Sequence, residues 1–131
     1  MHATNISVTG NIATEIRFTT TADGVPLATF RLAATERKFD KATSRWIDGD
    51  VTWFSVSMWR SLAENAFASI RKGDPIFVVG RLSMREWERD GKSGISLDIN
   101  AEIVGHDLNR GTSSFERTRK ATVEPGLPIA A

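Results

Sequence analysis

Polar and apolar positions alternate with a period of two from Asn5 to about Val104, and from about Asn109 onward the alternation dissolves into Gly, Ser, Thr, Pro and scattered charges. That period belongs to strands, whose successive side chains leave on opposite faces. Strands are predicted at about 5–12, 15–20, 26–37, 51–59, 75–88 and 94–104, bounded by Asp23-Gly24, Asp48-Gly49, Lys72-Gly73 and Asp90-Gly91, pairs that favour tight turns. One segment follows helical spacing instead. Ser61-Leu62-Ala63-Glu64 has the form of a capping box, Leu62, Ala63, Ala66, Phe67 and Ile70 make an apolar stripe, and Gly73 offers a stop.

Five main strands with a single helix between the third and fourth give an all-β chain with one helix in the order of an OB-fold, a small Greek-key barrel whose face and loops commonly bind oligonucleotides. The domain is expected over residues 1–105, with 106–131 a flexible, disordered C-terminal tail. Fold alone does not name a function, so the strand faces decide.

Alternation splits each strand into a core set and a solvent set. In 51–59, Thr52, Phe54, Val56 and Met58 form one face, and Trp53 and Trp59 share the other with Ser55 and Ser57. In 76–87, Ile76, Val78, Gly80, Leu82 and Met84 form the core face, opposite Arg81, Ser83, Arg85 and Trp87. In 26–37, Ala28, Phe30, Leu32 and Ala34 point inward and Arg31 and Arg37 outward, the outward row ending at Lys38 and Phe39 as it enters a loop.

Open indoles beside cations suit unpaired nucleic acid, because every base has a face to stack on and every linker carries a phosphate; stacking is worth ~1–3 kcal/mol per base. Trp53 and Trp59 would lie about 20 Å apart on an extended strand, enough to meet different nucleotides. A lone strand Trp is ordinarily buried, and a bulge would reverse the parity; three on polar faces argue for binding. Arg31, Arg37, Lys38, Arg81 and Arg85 share faces with the aromatics, whereas Glu86 and Glu88 should point away. Trp46, in the loop Asp40 to Asp50, fits a base contact or a loop anchor equally; Phe30, Phe54, Phe67 and Phe77 fit core or subunit contacts.

Composition narrows the rest. The 131 residues carry no cysteine and a net charge of +1, which excludes disulfides, thiolate metal sites and a polycation acting through bulk charge. No apolar run reaches the ~20 residues of a membrane span, so a cytoplasmic, nucleoid-associated protein is expected. His2 and His106 lie at the ends of the domain, His106 reading as a solvated pair with Asp107. No catalytic constellation, metal site or cofactor emerges. The alternative to DNA binding is an OB-fold interaction or assembly module with its tryptophans in a partner interface.

Across about residues 4 to 104 the chain resembles the bacterial single-stranded DNA-binding (SSB) proteins. The resemblance rests on Thr9-Gly10-Asn11-Ile12 with Arg17, Ala28-Thr29-Phe30-Arg31-Leu32-Ala33, Asp40-Lys41-Ala42-Thr43, Thr52-Trp53 with Trp59, Leu62-Ala63-Glu64, Arg71-Lys72-Gly73, Val79-Gly80-Arg81-Leu82 and Arg85-Glu86-Trp87. It implies base stacking on Trp53, Trp59 and Trp87, with Phe39 displaced by one residue from a fourth aromatic position, and assembly into homotetramers. It also implies service in DNA replication, recombination or repair. The family's acidic run ending Ile-Pro-Phe is replaced by Glu124-Pro125-Gly126-Leu127-Pro128-Ile129-Ala130-Ala131. The expectation is therefore a paralogue lacking the acidic tip and docking the usual replication and repair partners poorly.

Overall fold

Alternation builds six strands and one helix among the described residues: β1 (Thr4–Ile12), β2 (Arg17–Thr20), β3 (Pro26–Asp40), β4 (Arg45–Trp59), α1 (Arg60–Ser69), β5 (Pro75–Arg89) and β6 (Lys92–His106). This computed structural model describes residues 4–118. The stretch Glu124 to Ala131, on which the tail expectations rest, lies outside the described residues.

The strands run β1-β5-β6-β4-β3-β2, and β1 also pairs with β3 at Asn11 with Ala33 and Ile12 with Leu32. That second pairing closes β1, β5, β6, β4 and β3 into the five-stranded barrel of an OB-fold, with α1 between β4 and β5 and β2 added to the edge of β3. Closure needs β1 to cross β3 tightly. Gly10 permits it, since a Cβ there would lie 2.6 Å from the Ala33 carbonyl oxygen.

The interior is assembled from the inward positions: Phe30 and Leu32 from β3, Phe54, Val56 and Met58 from β4, Ile76 and Val78 from β5, Ile99 from β6, and Ala63, Ala66 and Ile70 at the helix. Every one is buried, and no polar or charged residue among those described is buried with them. Of the phenylalanines expected as core or subunit contacts, Phe67 and Phe77 lie outside the core, 52% and 37% exposed. Phe67 stands on the outer side of α1 with its ring 5.1 Å from that of Phe18 on β2.

The helix begins differently from its expected capping box. β4 remains paired to Leu27 as far as Trp59, so Trp59 is the N-cap and makes no side-chain cap bond. Ser61 falls inside the first turn, too late to cap it. The helix ends at Ser69, Ile70 is already extended, and Gly73 at φ +95 turns the chain into β5.

Two hairpins extend beyond the barrel. β4 and β6 pair in parallel only over Ser55–Ser57 with Asp98–Asn100, so past those residues β3–β4 and β5–β6 continue as two-stranded ribbons. Met84, expected in the core, therefore emerges 65% exposed on the β5–β6 ribbon. The presumed loop after Phe39 is also strand. The Asp40 carboxylate accepts from the Ala42 N–H and the Thr43 hydroxyl, each at 3.0 Å, which makes a tight turn of Asp40-Lys41-Ala42-Thr43. Asp48-Gly49, expected as a boundary, lies within β4. Asp90 and Gly91, at φ 54 and 76, turn the other hairpin as expected.

At the domain exit His106 is not a solvated partner of Asp107. Its Nε2 lies 3.0 Å from Asp74 Oδ2 and its Nδ1 lies 2.6 Å from the Ser113 hydroxyl oxygen. Asp74 also accepts from the Arg71 N–H at 3.0 Å. Partial burial pushes the Asp74 carboxyl up, but the His106 and Arg71 hydrogen bonds and charges outweigh it and hold the group below its ordinary 3.8. A carboxyl lowered on folding stabilises the protein above its unfolded value, and that contribution disappears as pH falls through the lower folded value. Asp74→Asn is thus expected to cost stability at pH 6 and progressively less below about pH 4. Urea midpoints of both proteins between pH 6 and pH 3 test this, and a pH-independent difference would contradict it.

Candidate nucleic-acid interface

Residues paired directly across a sheet share a face, so the register defines this surface. On β3 and β4 the pairs Arg31 with Ser55 and Ala33 with Trp53 lie outward. On β5 and β6 the outward pairs are Arg81 with Asn100, Ser83 with Asp98, Arg85 with Ser96 and Trp87 with Gly94. The parallel pairing of Ser55 with Asp98 joins the two rows across the barrel.

Trp53, Trp87 and Trp59 are 48%, 45% and 37% exposed on this face. Two open grooves, of about 540 and 610 Å³, meet at Arg31 and Ser55. One runs past Thr29 and Ser57 toward Arg17, the other past Arg85 and Ser96 to Trp87. The arrangement is a shallow track with aromatic stations, unlike an enclosed small-molecule pocket.

The cations are held rather than free-swinging. Arg31 lies 5.8 Å from the Trp53 ring centroid and its Nη1 donates to Ser55 Oγ at 3.5 Å, a cation–π contact of ~0.5–1 kcal/mol at an exposed site. Arg85 pairs with Asp98 at 3.3 Å, and Arg37 with Asp48 and Arg81 with Glu102, both at 3.8 Å. Each of these pairs is more than half exposed on the arginine side, and such pairs are worth ~0–1 kcal/mol. A phosphate can displace the carboxylates without a large penalty.

Lys38 is separated from the other candidate residues. It pairs with Ile47 on the reverse face of the β3–β4 ribbon, because it alternates with Arg37 and Phe39. Its chain lies against Gly49, where a Cβ would meet Lys38 Cε at 3.1 Å. Glu86 and Glu88, paired with Ile95 and Ser93, also lie opposite Trp87.

Trp46 joins the track in a way parity alone conceals. Between Thr35 with Val51 and Arg37 with Asp48 the register shifts by one, so that Gly49 and Asp50 oppose Glu36 alone. This bulge reverses the alternation of β4 and brings Trp46 to the side of Trp53. Trp46 packs edge-on against its partner Phe39, centroids 5.4 Å apart, and the two remain 61% and 49% exposed. The sequence signal was Gly49, which lies close against the Glu36 carbonyl at the bulge.

No three His, Cys, Asp or Glu side chains among the described residues gather as a metal site. No helix among them is long and apolar enough to cross a membrane.

Known proteins share the sequence and the fold of this chain. The chain is 44% identical over 131 residues to single-stranded DNA-binding protein 2 of Streptomyces avermitilis, covering all of this chain and 82% of that one. It is 45% identical over 113 residues to single-stranded DNA-binding protein 2 of Tropheryma whipplei, covering 86% and 74%. Its fold matches the crystal structure of a small single-stranded DNA-binding protein from Streptomyces coelicolor with a TM-score of 0.78 at 44% identity, over 85% of this chain and all of that one. The second such protein (SSBb) of Mycobacterium smegmatis matches with a TM-score of 0.71 at 29% identity, over 88% and 100%. A family model described as the single-strand binding protein family matches residues 3–107, and the chain belongs to that family, whose proteins are non-enzymatic DNA-binding proteins.

Proposed function

We propose that this protein binds and protects single-stranded DNA with little sequence preference, serving replication, recombination or repair on the DNA of the cytoplasmic nucleoid. Bases stack on Trp53, Trp59, Trp87 and Phe39, with Trp46 beside Phe39 as a further station. Phosphates meet Arg31, Arg37, Arg81 and Arg85, while Lys38 contributes from the reverse face of its ribbon. The observation that carries this reading is that Trp53, Trp59 and Trp87 stand 37–48% exposed on one face, across which a groove lined by Arg31, Ser55, Arg85 and Ser96 runs to Trp87. Stacking tolerates any base, and a phosphate-tracking groove tolerates any order of bases.

A homo-oligomer, a tetramer by resemblance, fits a second outward surface. Phe77 and Ile103, 37% and 53% exposed, flank Val79 on β5 and β6, beside Ser7 and Thr9 of β1. Apolar side chains on an otherwise polar barrel wall are the composition of a subunit contact.

Titration with a deoxythymidine oligomer, read by quenching of tryptophan fluorescence, tests the function. Affinity should fall with salt, with a log–log slope of about −0.7 for each phosphate neutralised. Because Arg37, Arg81 and Arg85 already hold carboxylates, the slope per protomer should fall between about −1.4 and −3.5. Duplex and RNA competitors complete the test. Indifference to the oligomer, or preference for duplex, would refute the proposal.

A further inference from the structure

Trp87 and Gly94 face one another across the β5–β6 ribbon, and the indole lies where any other residue at 94 would begin its side chain. A Cβ on Gly94 would stand 2.5 Å from Trp87 Cζ2, 2.7 Å from Cε2 and 3.0 Å from Nε1. Nothing in the backbone asks for glycine there: Gly94 is not among the positive-φ glycines, and glycine weakens a strand interior. The ring accounts for it.

Resting on the stacking role proposed above, we infer that Gly94 is a positioning residue for DNA: its missing side chain makes a seat for the indole of Trp87. One side of the ring lies against the Gly94 main chain, and the residue is still 45% exposed. A platform fixed before DNA arrives loses less side-chain freedom when a base lands on it. The neighbouring outward pair supports the same use. Arg85, paired with Ser96, is held by Asp98 at 3.3 Å, and Asp98 accepts from the Ser96 hydroxyl at 2.9 Å. An oriented cation thus stands on the same face as the oriented ring, two residues away along β5.

A competing account makes the ring a cover for the glycine, serving sheet stability alone. The full chain distinguishes the two through Gly94→Ala, Trp87→Ala and their combination, each titrated with a deoxythymidine oligomer and melted thermally. A methyl at 94 has to push the ring away, so Gly94→Ala should weaken binding roughly 5- to 150-fold, the range of one lost base stack. Its melting temperature should stay level or rise. The salt slope should not change, because no phosphate contact is touched. Added to Trp87→Ala, Gly94→Ala should cost nothing more, since it acts only through that ring.

Unchanged affinity in Gly94→Ala while Trp87→Ala binds weakly would overturn the seat and leave the stacking role standing. Fully additive losses would overturn it too, as would a Gly94→Ala protein that melts early or fails to fold. If the unmodified chain ignores the oligomer, or Trp87→Ala binds as tightly as the unmodified chain, the stacking role itself falls.

Discussion

Replacing Trp53 and Trp87 together by alanine will weaken binding of a deoxythymidine oligomer by about 2–6 kcal/mol while the barrel stays folded. Each ring is worth ~1–3 kcal/mol as a stacking surface. The two stand on different ribbons, Trp53 opposite Ala33 and Trp87 opposite Gly94, so under the proposed stacking they would meet different nucleotides and their losses should add. Neither belongs to the buried cluster, which is why the melting temperature should hardly move. Competition titrations with a labelled oligomer measure the loss without relying on the removed fluorophores. A double variant that binds normally would remove the tryptophans from the mechanism. One that unfolds would return them to a structural role.

Leu32→Ala should do the opposite, destabilising the fold by about 2–5 kcal/mol while sparing the binding face. Leu32 is fully buried and pairs with Ile12 of β1 on one side and Phe54 of β4 on the other. It therefore sits at the seam where the sheet closes on itself. A domain stable by about 5–15 kcal/mol would lose a large share of that margin. The urea midpoint should fall with little change in slope, and the molecules still folded should bind the oligomer as before. A cost below about 1 kcal/mol would mean that the seam is not tightly packed.

The contrast between these two substitutions was already written in the alternation of the chain. Leu32 and Trp53 are both large and apolar, yet parity within uninterrupted strands sends one inward and the other outward. The same local rule placed Ile76 and Val78 on a core face and Trp53, Trp59 and Trp87 on the opposite, polar faces, while leaving Phe30 and Phe54 between core and subunit contact. The strand order with one interposed helix was legible for the same reason, since period and turn residues are properties of neighbours along the chain.

What pairing partners determine was not legible. Trp46 reaches the face of Trp53 only because Gly49 and Asp50 together oppose Glu36, and a bulge exists only in relation to the strand beside it. Met84 follows the core parity but lies beyond the end of the β4–β6 pairing, where no interior remains to receive it. His106 finds Asp74 and Ser113 across distances along the chain that no local pattern reports. Alternation by itself determined which side of a strand each residue takes; only the closing of the barrel decided where that side faces a core, a partner ribbon or open solvent, because burial depends on what lies opposite.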